Sequence, residues 1–166
     1  MKIKICGITN LRDAQYAVDQ GATHLGFILY PQSPRYCAPE TIAEIIAAIS
    51  GSVTTVGVFV DESVNTIHRI VDQTGLTCVQ LHGKESVEMC QQLRIPVIKA
   101  FRIATASDLD GICDYVDFID AILLDTYVSG QPGGTGQSFN WNLAVLAKQW
   151  SIPLFLSGGL TLETVT

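Results

Sequence analysis

The sequence predicts an α/β fold of the TIM (β/α)8-barrel type. Short apolar, β-branched runs alternate with helical patterns along the whole chain, at intervals of about 18 to 32 residues, which is typical of a parallel sheet. Polar residues follow many of these runs, and functional groups after several different strands are characteristic of a barrel. Seven strands of this kind fit either a doubly wound sheet or a barrel, and the compact repeating units favour the barrel.

The elements follow one another in a regular order. Seven short runs rich in aliphatic residues predict strands at residues 3–5, 24–29, 54–60, 78–82, 97–101, 121–125 and 153–156. The patterns between them predict helices at residues 11–20, 39–49, 64–73, 86–93, 105–113 and 141–150, and a further helix begins at 161. The eighth strand of a barrel is not found. We therefore expect one domain over residues 1–166, a barrel that lacks its eighth strand–helix unit at the C-terminus.

Local signals mark the ends of several helices. Thr9 or Asn10 is suited to cap the first helix and Asp61 the third, because short polar side chains accept hydrogen bonds from the first N–H groups of a helix. Gly21 ends the first helix, and Pro39 fits the first turn of the second.

Composition excludes several classes of function. The formal charge of −6 argues against nucleic acid or an anionic membrane surface as a partner. The sequence has no apolar run long enough to span a membrane and no recognisable signal peptide. Its five cysteines are odd in number and lack metal-binding spacing, which is typical of a reduced cytoplasmic protein. From this spacing we expect no metal site.

The alternation of side chains along the strands predicts where polar groups point. Lys4 and Cys6 share one face of the first strand, and a cation beside a thiol favours the thiolate, a base or nucleophile. Asp125 ends the sixth strand at the same rim, while Gln80 and His82 share a face of the fourth. Each of these residues also has an ordinary structural explanation: a free cysteine packs as a small hydrophobe, an aspartate caps a turn, and a histidine bonds within the core.

Two further groups follow strands. Arg35 lies in the proline-rich loop after the second strand, where a solvated charge is the ordinary explanation. The Ser157-Gly158-Gly159 turn lies between a strand and the start of a helix, a geometry in which backbone N–H groups can bind phosphate. The coincidence of all these groups at one predicted rim outweighs their separate structural explanations.

The ordered set KICGIT, GFILYPQSPRY, VGVFVDE, VQLHG, LLDT, GGTGQSFNW and LSGGL resembles the phosphoribosylanthranilate isomerase family of tryptophan biosynthesis. The resemblance implies a (β/α)8 barrel without a cofactor. It also implies an Amadori rearrangement of N-(5-phosphoribosyl)anthranilate to 1-(2-carboxyphenylamino)-1-deoxy-D-ribulose 5-phosphate.

The resemblance also implies roles for individual residues. Cys6 matches the general base, and Asp125 matches the general acid, which must begin protonated, a state that burial favours. Arg35 matches the residue that holds the anthranilate carboxylate, and His82 matches a position that lines the site. Ser157, Gly158 and Gly159 match part of the phosphate cradle, and residues 132–137 match a loop that closes over the substrate.

Two alternatives remain from the sequence. The chain could be a truncated, non-catalytic barrel fragment that binds phosphate, or a different phosphosugar isomerase or epimerase that uses another base. An incomplete barrel would also leave open edges on its first and seventh strands, through which self-association is possible.

Overall fold

The computed structural model describes residues 1–49, 51–126 and 142–161. The chain forms two compact units, Met1–Val97 and Ile98–Thr166. Within the described residues there are seven strands, and every predicted strand is present. The loop at 132–137, the start of the helix predicted at 141 and most of the helix predicted at 161 lie outside the described residues.

The first unit alternates four strands with four helices. Strands β1 to β4 pair in parallel and in sequence order. The strands are β1 (Lys4–Cys6), β2 (His24–Ile28), β3 (Thr54–Phe59) and β4 (Cys78–Leu81), and the helices are α1 (Leu11–Asp19), α2 (Pro39–Ala48), α3 (Val64–Thr74) and α4 (Val87–Gln92).

The second unit contains three parallel strands, β5 (Val97–Ile103, which begins at the unit boundary), β6 (Ala121–Thr126) and β7 (Leu154–Leu156). A 3-10 helix, Ala106–Asp114, follows β5 where the sequence predicts a helix. Helix α5 (Asn142–Ala147) continues as a short 3-10 turn, Lys148–Trp150.

Burial explains why the strands are read so easily from the sequence. Every residue of β4 and of β6 is buried, so both faces of these strands select apolar side chains, as expected for parallel strands covered on both sides. β1 differs, because Ile3 and Ile5 are 39% and 42% exposed on its outer side. With Tyr16 of α1 they line a groove of about 410 Å³. Self-association through an open edge stays a prediction.

Of the two predicted N-caps, the one for α1 is confirmed and the one for α3 is wrong. Asn10 caps α1 as predicted, accepting a hydrogen bond from the N–H of Asp13 at 2.9 Å. Asp61 does not cap α3. Ser63 does so instead, accepting from the N–H of Thr66 at 3.2 Å. Asp61 lies two residues too early, with a left-handed backbone (φ 52°), and its carboxylate accepts a hydrogen bond from the N–H of Lys84. No described helix is long and apolar enough to cross a bilayer.

Candidate active site

Cys6 is held at the carboxyl end of β1 by an unusually tight turn. The N–H groups of Gly7 and Ile8 both donate to the carbonyl of Gly26 on β2, at 2.8 and 3.0 Å. Gly7 has φ +89°, a conformation that glycine adopts with little strain. The backbone beside the thiol is therefore fixed to the neighbouring strand, while the cysteine itself is exposed.

Lys4 and Cys6 project from the same face of the first unit's sheet, as the alternation of side chains predicts. A Cβ built on Gly26 would lie 2.8 Å from Lys4 Nζ and 2.8 Å from Cys6 Sγ, so the ammonium and the sulfur are at most twice that distance apart. Gly26 leaves the space that both side chains occupy.

Arg35 comes from the loop after β2 and lies against the turn that carries Cys6. Its Nη1 donates to the carbonyl of Cys6 at 3.0 Å. A Cβ on Gly7 would lie 2.6 Å from Nη1 and 2.8 Å from Cδ of this arginine, so the side chain rests directly on the glycine. The guanidinium is exposed, and the bond to Cys6 uses one of the five N–H groups that an arginine carries.

His82 follows β4, and both its backbone and its ring make hydrogen bonds to described residues. Its N–H donates to the carbonyl of Phe59, and its Nδ1 lies 2.7 Å from Nε2 of Gln80. The strand register places Gln80 beside Val58, on the same face of the sheet as Cys6. The predicted shared direction of Gln80 and His82 is confirmed by this contact.

A buried carboxylate joins the loops after β3 and β4. Glu85 is 4% exposed; its Oε1 accepts from the N–H groups of Asp61 (3.0 Å) and Gly83 (2.9 Å), and its Oε2 also accepts from Gly83. Asp61 returns the interaction by accepting from Lys84. This reciprocal pairing fixes the turn that immediately follows His82.

Asp125 lies near the end of β6 in the second unit and is 6% exposed. Its Oδ1 accepts from the N–H of Thr126 at 2.9 Å. Arg102 of β5 is its partner in the strand register, so both side chains project from the same face of neighbouring strands. The carboxyl group is thus buried with a cationic residue as its cross-strand neighbour.

The Ser157-Gly158-Gly159 turn lies against the same end of β6. The N–H of Ser157 donates to the carbonyl of Leu124 at 2.9 Å. Gly158 and Gly159 both have positive φ (87° and 63°), and a Cβ on Gly158 would overlap Oγ1 of Thr126. Within the second unit, the predicted phosphate turn and Asp125 are therefore neighbours.

Sequence reasoning placed these residues at strand ends but missed several of their supports. It passed over Gly26, although a glycine inside a strand often marks a close approach of another group. It assigned Asp61 to a helix cap and gave Glu85 and Arg102 no role. Only the strand register and the burial of Glu85 identify these residues. The described residues contain no cluster of three or more metal-ligating side chains.

Comparison with known proteins identifies the family. The family model described as N-(5'-phosphoribosyl)anthranilate (PRA) isomerase matches residues 3–166. The N-(5'-phosphoribosyl)anthranilate isomerase of Nitrosospira multiformis is 42% identical over 166 residues, which is 100% of this chain and 79% of that protein. The protein of the same name from Geotalea uraniireducens is 44% identical, over 99% of this chain and 80% of its own length.

Solved structures agree with the sequence relatives. The crystal structure of phosphoribosyl anthranilate isomerase from Thermotoga maritima has a TM-score of 0.91 and 40% identity, covering 99% of this chain and 80% of its own. A phosphoribosyl anthranilate isomerase in complex with reduced 1-(o-carboxyphenylamino)-1-deoxyribulose 5-phosphate has a TM-score of 0.87 and 38% identity, covering 99% and 79%. These matches confirm the predicted α/β fold class of the TIM-barrel type. The chain belongs to the N-(5'-phosphoribosyl)anthranilate isomerase family.

Proposed function

We propose that this chain is a phosphoribosylanthranilate isomerase of tryptophan biosynthesis, acting in the cytoplasm on N-(5-phosphoribosyl)anthranilate. The observation that carries the proposal is the arrangement around Cys6. Its thiol is exposed, Lys4 lies beside the thiol, and Arg35 donates a hydrogen bond to the backbone carbonyl of Cys6. The chain matches the family over residues 3–166. A base and a carboxylate-binding group are thus held together by one turn.

The reaction needs an acid first. Protonation of the furanose ring oxygen opens the sugar to a Schiff base, and Asp125 is the proposed donor. The proposed role requires Asp125 to carry its proton when the substrate arrives, and its side chain is only 6% exposed. Arg102 is the cross-strand neighbour of Asp125 on β5.

The reaction then needs a base. The thiolate of Cys6 removes the proton from C2 of the sugar, which gives an enolamine that tautomerises to the ketose product. Lys4 lies beside the sulfur on the same face of the sheet. Because Gly7 and Ile8 are both bonded to β2, the sulfur is held without reorganisation of the turn.

Binding involves the two ends of the substrate. Arg35 suits the planar anthranilate carboxylate, which a guanidinium can bind through two parallel hydrogen bonds. The N–H groups of the Ser157-Gly158-Gly159 turn suit the phosphate, because left-handed glycines let the backbone approach an anion closely. His82 supplies a further polar group to the site.

The test is product formation by the purified chain, compared with two variants. Cys6→Ala and Asp125→Asn should each lower kcat by about 10²- to 10⁴-fold, the usual contribution of a positioned acid or base. Cys113→Ala, which removes another exposed thiol, is the matched control and should keep the parent rate. A near-normal rate in either active-site variant refutes its assigned role. Binding of a product analogue without turnover would instead favour a non-catalytic fragment.

A further inference from the structure

The Gln80–His82 pair contains a polar atom that the fold leaves without a partner. Gln80 is 2% exposed, and its Nε2 lies 2.7 Å from Nδ1 of His82. Its Oε1 is buried and has no hydrogen-bond partner among the residues that the structure describes. The cross-strand neighbour of Gln80 is Val58, whose side chain offers no donor.

A buried acceptor without a partner costs free energy, and an apolar side chain of similar volume would avoid that cost. Gln80 is therefore a poor choice if the position serves only to fill the core. What the amide does contribute is its contact with the histidine. Residues that break the rules of packing in this way are expected near functional sites.

The direction of the hydrogen bond determines the chemistry of the imidazole. With the amide nitrogen of Gln80 towards the ring, Nδ1 accepts the hydrogen bond and is the bare nitrogen of the neutral imidazole. The proton then resides on Nε2, which becomes a hydrogen-bond donor. The backbone is fixed as well, because the N–H of His82 donates to Phe59 and Glu85 fixes the following turn.

We propose that Gln80 is a positioning residue that holds His82 as the Nε2–H tautomer, so that the imidazole donates a hydrogen bond to a carboxylate or hydroxyl oxygen of the substrate. The proposal rests on the isomerase function proposed above and deepens it by assigning a role to His82. Gln80 acts through the histidine and does not itself touch the substrate.

The first experiment measures the tautomer directly by ¹⁵N NMR of the labelled chain at about pH 9, where imidazole side chains are neutral. His82→Ala identifies the resonances of His82. The parent chain should show a proton on Nε2, and Gln80→Glu, which offers an accepting carboxylate, should move the proton to Nδ1. A proton on Nδ1 in the parent chain overturns the proposal, and this measurement needs no activity.

The second experiment separates positioning from packing. Gln80→Met should unfold at the same or a higher urea concentration than the parent, while its kcat/KM falls about tenfold or more because the imidazole loses its orientation. In a His82→Ala background the same substitution should change kcat/KM less than twofold. Gln91→Met, on the exposed surface of α4, is the matched control and should change neither quantity.

The outcomes distinguish the two proposals. A fall in stability with unchanged kcat/KM in Gln80→Met, or an equal loss in the presence and absence of His82, shows a purely structural role and refutes the inference. A parent chain with the Nε2–H tautomer but no isomerase activity refutes the proposed function instead.

Discussion

The contact between Arg35 and Gly7 can be tested by adding one methyl group. In Gly7→Ala the new Cβ would lie 2.6 Å from Nη1 and 2.8 Å from Cδ of Arg35, closer than these atoms can approach. The turn cannot move away easily, because Gly7 and Ile8 are both bonded to the carbonyl of Gly26. We therefore expect the guanidinium to leave its position on the Cys6 carbonyl.

The chain offers a control with the same backbone strain. Gly21 also has φ +89°, but a Cβ there would meet nothing within 4 Å. Both substitutions should lower the free energy of unfolding by about 1–2 kcal/mol, the cost of a left-handed conformation for a residue with a side chain. Only Gly7→Ala should also lose the hydrogen bond from Arg35 to Cys6.

The expected effect on activity follows from that hydrogen bond. A displaced Arg35 no longer makes its proposed hydrogen bond to the substrate carboxylate. Such a bond between charged groups contributes about 1.5–3 kcal/mol, so kcat/KM should fall roughly tenfold to a hundredfold in Gly7→Ala. The assay is the initial rate of isomerisation, and urea denaturation measures stability in parallel. Gly21→Ala should lose stability but keep its kcat/KM. Equal kcat/KM values in the two variants would show that the contact with Arg35 does not position the substrate-binding group.

Three further predictions concern other supports of the site. Gly26→Ala should displace the thiol of Cys6 and lower kcat/KM about tenfold or more. Gly111→Ala should leave kcat/KM unchanged, because a Cβ there meets nothing within 4 Å. Initial rates of isomerisation by the two variants test this. Glu85→Ala should lower the free energy of unfolding in urea by about 1.5–3 kcal/mol or more, because it removes the hydrogen bonds of a buried carboxylate to the N–H groups of Asp61 and Gly83. An unchanged midpoint would contradict this. Burial, and then the charges of Lys2 and Lys4, lower the pKa of His24. The folded state therefore favours the neutral imidazole, and this contribution to stability is present above pH 6.5 and is lost as the pH falls through the lowered pKa. His24→Gln should flatten the pH dependence of the urea midpoint.

The order and type of the strands and helices could be predicted because they depend on local patterns. Both faces of strands such as β4 and β6 are buried, so most of their residues are apolar and the run is visible in the sequence. The 3-10 helix after β5 is the main departure in type. Its pattern is helical, and Thr105 and Asp108 form a capping box at its start, as at the start of an α-helix. Gly111, a poor helix former, interrupts the run.

The sequence by itself determined the fold class, the strand ends that carry polar groups and the face shared by Lys4 and Cys6, because these follow from alternation along single strands. Only the tertiary structure decided how those groups are supported. Three contacts depend on pairing between distant segments. Arg35 donates to the carbonyl of Cys6, and Arg102 is the cross-strand neighbour of Asp125. Glu85 accepts a hydrogen bond from the N–H of Asp61, which does not cap a helix. A local sequence pattern does not predict which distant N–H group will donate a hydrogen bond to a buried carboxylate, because the partner is determined only when the strands pair in register.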